Sequence, residues 1–104
     1  MEYDEFVASL AGDTPPDNVH VALRALWYDA NGRDDSAARA VERDESFLSL
    51  RVRAYLARKT DDENAIRKWY WRCGTSPWDG TFDSEWEDIV RSALISVIVE
   101  RSYL

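Results

Sequence analysis

One cysteine, one histidine and one methionine in 104 residues leave this chain short of the side chains that most often carry chemistry. Cys73 alone excludes an internal disulfide, and with no charged-then-apolar leader at its start the chain is expected in a reducing cytoplasm. His20 and Cys73 lie too far apart in sequence to form a metal-ligand spacing, and acid pairs such as Asp61-Asp62 lack the pattern of a calcium loop, so no metal and no cofactor are expected. Long apolar runs are missing as well. The longest, Ala93 to Val99, is interrupted by Ser96 and falls far short of a membrane span.

A net positive charge is also absent. The formal charge is −7, which argues against nonspecific binding to a phosphate backbone. The charge is unevenly spread. Residues 1–17 hold five acids and no Lys or Arg, whereas residues 51–72 hold seven bases and three acids. A basic stretch of this kind usually answers the protein's own acids from a solvated helix.

What the chain does have is helical periodicity. Tyr3, Phe6, Val7 and Leu10 predict a short opening helix that stops at Gly12, followed by the rigid link Thr14-Pro15-Pro16. Asp17 or Asn18 can cap a second helix whose stripe is Val19, Ala22, Leu23, Leu26, Trp27 and Ala30. Asp34 or Asp35 can cap a third through Arg43, with Ala37, Ala40 and Val41 inward. After Asp44 to Ser46 comes a wide apolar arc from Phe47 to Leu56. Thr60-Asp61-Asp62-Glu63 reads as a capping box for a helix that runs to Cys73 and stops at Gly74. A loop over 75–83, pinned by Trp78 and Phe82, leads to a second capping box, Ser84 to Glu87. It opens a last helix over 84–101 with Trp86, Ile89, Val90, Ala93, Leu94, Val97 and Ile98 on its stripe. The chain thus reads as a single all-α domain of five to six helices over residues 1–104.

Two of these segments match each other. Trp27-Tyr28, Gly32, Asp34-Asp35, Ala37, Arg39 and Val41 are echoed 28 residues later by Tyr55-Leu56, Thr60, Asp62-Glu63, Ala65, Arg67 and Trp69. Self-similarity of this kind points to stacked helix-turn-helix units that bury their apolar stripes against each other.

The spacing of Tyr28, Gly32, Ala37 and Val41, and again of Leu56, Thr60, Ala65 and Trp69, resembles the turn region of a tetratricopeptide repeat. The resemblance implies two tetratricopeptide-like (TPR-like) units over residues 18–74, flanked by an N-terminal and a C-terminal helix. Val19, Ala22, Leu26 and Ala30 then occupy positions that in such repeats line the concave groove, and Arg24 falls where a core leucine is usual. So apolar a groove implies a cover, here the protein's own first or last helix. The strings Ala25-Leu26-Trp27-Tyr28-Asp29-Ala30-Asn31-Gly32, Ala54-Tyr55-Leu56-Ala57-Arg58-Lys59 and Asn64-Ala65 with Trp69-Tyr70 and Arg72 are similar to a small microbial family of helical proteins. That likeness implies the same fold and brings no catalytic residues with it.

No catalytic constellation is legible. His20 lacks an orienting carboxylate and a nucleophile at any useful spacing. Cys73 stands at the C-terminal end of its helix, where the dipole raises a thiol pKa. The expected function is therefore a non-enzymatic protein-interaction module that binds another protein or a second copy of itself, with Ile95 and Val99 on an apolar second face of the last helix. The alternative is a pocket for a small anionic metabolite, walled by Trp27, Tyr55 and Trp69 with Arg58, Lys59 or Arg72 as anion contacts. The run Trp69-Tyr70-Trp71-Arg72, beside Arg67 and Lys68, is a candidate surface for stacking bases or holding an acidic peptide through cation-π contact, with Trp69, Trp71 and Arg72 as its binding residues. Against that, four consecutive residues span all sides of a helix, which places Trp69 and Tyr70 toward the core and Trp71 and Arg72 toward the surface.

Overall fold

The computed structural model describes the backbone of residues 1–102 and the side chains of residues 1–95. Within them are six helices and no strand: α1 (Tyr3–Ser9), α2 (Val21–Ala30), α3 (Asp34–Val41), α4 (Phe47–Thr60), α5 (Glu63–Cys73) and α6 (Phe82–Ser102). α2 pairs with α3 and α4 with α5, while α4 also packs on α2 and α3. α6 lies across α2 and α4, and α1 packs on α6.

The helix ends show where local chemistry shifted the expected boundaries. Asn18 takes a left-handed turn (φ 60°), so α2 starts later than Asp17 or Asn18 would allow, and His20 becomes its cap, with Nδ1 accepting from Ala22 N at 3.0 Å. Asp44 holds the link into α4 by accepting from Ser46 Oγ at 2.5 Å and from Ser49 Oγ at 2.6 Å. These two hydroxyls, Ser46 first, keep its carboxyl below the ordinary range. α5 is capped by Asp62, which accepts from Asn64 N and Ala65 N, and not by Thr60, which is still the last residue of α4. The left-handed residue between α4 and α5 is Asp61 (φ 60°), the counterpart of Gly32 between α2 and α3. α6 begins at Phe82, with Thr81 Oγ1 accepting from Ser84 N at 3.0 Å, so the Ser84-to-Glu87 box lies inside the helix. The preceding loop is strapped down where Trp78 Nε1 donates to Ser84 Oγ at 3.0 Å across Gly80. A Cβ at Gly80 would come within 2.7 Å of that indole nitrogen.

The main core gathers Phe6, Leu23, Leu26, Trp27, Val41, Val52, Ile89 and Val90, so the stripes of α1, α2, α3, α4 and α6 meet in one cluster. Two indoles staple its halves. Trp27 Nε1 donates to Ser9 O at 3.1 Å and ties α1 to α2, and Trp86 Nε1 donates to Leu26 O at 3.0 Å and ties α6 to α2. A smaller cluster of Ala54, Tyr70 and Cys73 joins α4 to α5. Ala37 of α3 is fully buried, as its small side chain requires for close helix contact. No described helix is long and apolar enough to cross a membrane.

Candidate functional site

The basic excess of residues 51–72 is consumed almost wholly inside the protein. Arg51 and Arg58 reach Glu85, Arg53 and Arg72 reach Glu45, Lys59 reaches Asp29, and Arg67 reaches Glu63. The answering acids are thus not those of the N-terminal segment. Three local arrangements follow from this pairing.

The first is a buried polar cluster on α6. Glu85 is wholly inaccessible, although its position in the sequence looked like a helix cap. It accepts from Arg58 Nε at 2.8 Å and from the Tyr70 hydroxyl, and Arg51 Nη1 lies 2.7 Å away as an ion pair outside hydrogen-bond alignment. Two guanidiniums against one carboxylate leave a positive excess. Aromatic faces meet it: Arg58 lies 4.3 Å from the Phe82 centroid, and Arg51 lies 5.3 Å from that of Tyr70 and 5.9 Å from that of Trp78. Burial, and then the hydrogen bond to Glu85, push the Tyr70 phenol up to about 12. This cluster clamps α6 to α4 and α5 and leaves Arg58 no freedom to serve as a surface anion contact.

The second is a cavity of about 570 Å³ where α2 and α4 end and α6 begins. Asp29, almost buried, accepts from the Tyr55 hydroxyl at 2.7 Å and from Lys59 Nζ at 2.7 Å. A phenol and an ammonium one helical turn apart can relay a proton when the ammonium lowers the phenol. Here the reverse holds. Burial, then the hydrogen bond to Asp29 and its charge, raise Tyr55 well above the ordinary tyrosine value, so it stays a neutral donor. Trp86, Phe82 and Tyr3 supply aromatic wall, and Asp83 and Glu87 add two further carboxylates.

The third is a groove of about 460 Å³ between α3 and α5 with α4 as its floor. α3 and α5 make no contact with each other. Val41, Leu56, Ala57 and Ala65 make the groove apolar, and Trp69 forms one wall. Three cations surround that indole: Lys68 Nζ at 4.9 Å, Arg72 at 5.0 Å and Arg53 at 5.1 Å from its centroid. Arg53 is fixed by donating through Nε to Val41 O at 3.0 Å, and Arg72 by its contact with Glu45 at 2.7 Å.

The residues singled out from the sequence are therefore distributed. Trp27 is in the core, Tyr55 and Lys59 belong to the cavity, Arg58 to the Glu85 cluster and Trp69 to the groove, while Arg72 lies outside the groove, against the Trp69 ring and Glu45. Trp71 is exposed to 82 %, beside the buried Tyr70. Ile95 is exposed at 61 %, and the side chain of Val99 lies outside the described residues. Glu85 and Asp29 were not singled out, yet each had a signal. Glu85 falls one turn before Ile89 and two before Ala93, and Asp29 continues the Ala22–Leu26 stripe, so both are acids on apolar faces. Cys73 is buried, its thiol 3.4 Å from Tyr70 O.

Compared with known proteins, the chain matches no family model, no curated protein and no solved structure.

Proposed function

We propose that the protein is a small helical interaction module, TPR-like in its paired helices, that takes an acidic partner segment with an apolar anchor residue into the groove over Trp69. The observation that carries this reading is the groove itself: an apolar channel between two helices that do not touch, with three cations ringed around one indole. An apolar side chain of the partner would replace water over Leu56, Ala57 and Ala65. A carboxylate on the Trp69 side, away from Glu42, would meet Lys68, which makes no ion pair among the described residues, whereas Arg53 and Arg72 already face Glu45. The opposite side of the α2–α4 layer, where the concave surface of such units would lie, is covered by α6 through Trp86 and Glu85. Binding at the back of the layer is what this cover leaves open.

The test is a capture experiment from the native host with Ala65→Glu, which fills and charges the groove, against Trp71→Ala, which alters an exposed aromatic outside it. Partners held by the wild type and by Trp71→Ala but lost by Ala65→Glu support the groove. The same partners on all three, with each protein equally folded by circular dichroism, overturn it. The exposed Ile95 supports a second version, pairing with another copy of the chain. Sedimentation of the wild type and of Ile95→Glu decides it, and a wild-type monomer removes it.

A further inference from the structure

We infer that the cavity at the ends of α2 and α4 is a binding site for an organic cation, a protonated amine on a small apolar or aromatic body. This site lies on a different face of α4 from the groove and does not depend on the reading given for it.

Size and lining come first. A volume of about 570 Å³ is that of a small-ligand pocket, and Val7, Leu10 and Ala30 give it an apolar side that an uncharged body can fill. The charge of the lining then sets the ligand class. Asp29, Asp83 and Glu87 face the cavity against one cation, Lys59. Lys59 is committed to Asp29 at 2.7 Å, and Glu87 is shared with Arg91 at 2.9 Å. Asp83 makes no ion pair among the described residues. Asp83 and Glu87 stand one turn apart on α6, so two like charges meet at the rim, an arrangement that an added cation relieves. Both phenols at the cavity sense this field. After burial, Tyr3 is raised chiefly by Glu87, and Tyr55 by Asp29 with smaller contributions from Glu85 and Asp83. The helix ends add to it, because the C-termini of α2 and α4 both lie here against the single N-terminus of α6.

The aromatic wall fits the same class. Trp86 is the ring type that holds cations best, and the protein already makes such contacts around the cavity: Lys59 lies 5.5 Å from the Tyr55 centroid and Arg91 4.0 Å from that of Tyr3. A carboxylate or phosphate ligand would instead meet Asp83, which no ion pair among the described residues answers, beside Glu87, which is only partly offset by Arg91.

Three probes of one shape and different charge test the proposal: phenethylamine, phenethyl alcohol and phenylacetate. Their binding is read from the indole N–H resonances of the isotope-labelled protein, with the Trp86 signal assigned through Trp86→Phe. The expected result is a saturable shift of the Trp86 signal by the amine, at least about fivefold tighter than by the alcohol, with phenylacetate weakest. Asp83→Asn with Glu87→Gln, both on the outer rim, should weaken the amine by a similar factor while the other indole signals keep their positions. Equal binding of amine and alcohol, tighter binding of phenylacetate, an amine affinity unchanged by the rim substitutions, or no shift of Trp86 up to about 10 mM amine would each overturn it.

Discussion

Removing the carboxylate of Glu85 should be among the most damaging single changes in this protein. The side chain is fully buried, takes a 2.8 Å hydrogen bond from Arg58 and another from Tyr70, and lies 2.7 Å from Arg51. Glu85→Ala would strand two guanidiniums that are 7 % and 17 % exposed, together with a phenol that has lost its acceptor. Breaking a buried pair from one side costs about 3–5 kcal/mol, because the remaining charge is uncompensated. A chain of this length has roughly 5–15 kcal/mol of total stability, so the variant should lose between a fifth and nearly all of it. The loss is read from the midpoint and slope of urea unfolding, followed by circular dichroism. Replacing the group as a whole separates charge from packing: Glu85→Leu with Arg51→Met, Arg58→Met and Tyr70→Phe should recover most of the loss, since no buried charge is then left without a partner. A Glu85→Ala cost below about 1 kcal/mol with an unchanged slope would refute the claim that this cluster clamps α6.

Alkaline titration should separate the tyrosines. Of the five, Tyr3, Tyr55 and Tyr70 are raised above their ordinary 10.0, and most strongly the two that donate to buried carboxylates, Tyr55 and Tyr70, the latter to about 12. Between those pH values the unfolded chain releases protons that the folded chain keeps, so stability is full below about pH 10 and falls as the pH rises toward 12. Phenolate absorbance should therefore show these two ionising only together with loss of helix, and ionisation of all five near pH 10 with helix intact would contradict the burial argument. Gly74 ends α5 with φ 72° and donates to Tyr70 O and Trp71 O. Gly74→Ala should cost about 1 kcal/mol in the same urea assay, whereas Asp61→Gly, which relieves the left-handed turn after α4, should cost nothing.

Much of this architecture was legible because helix periodicity is written in apolar residues. Of the α2 stripe, Ala22, Leu23, Leu26 and Trp27 are buried as their spacing required, while Val19 at its start is half-buried and Ala30 at its end is exposed; Leu23 and Val52 share one core. Trp69 to Arg72 sorted as the helix turn dictates, with Tyr70 inside and Trp71 out. The starts of helices were less legible, since they depend on single backbone choices: a left-handed Asn18 moves the α2 cap to His20, and Thr81 captures the start of α6 ahead of Ser84. The site was the least legible part. Burial of Glu85 is explained only by Arg51 and Arg58, which are 34 and 27 residues away in sequence and stand two turns apart on one face of α4. Separately, each reads as an ordinary surface charge.

The same carboxylate fixes how α6 can lie. A slip of one residue along the helix would rotate its face by about 100° and move it about 1.5 Å, which would carry the carboxylate away from both arginines and bring Ser84 or Trp86, neither of them an anion, against them. Greasy stripes alone tolerate such slippage, because isoleucine and valine are nearly interchangeable knobs. One ionic tooth does not. The final helix therefore has a single notch to drop into, and its walls are built from both α4 and α5.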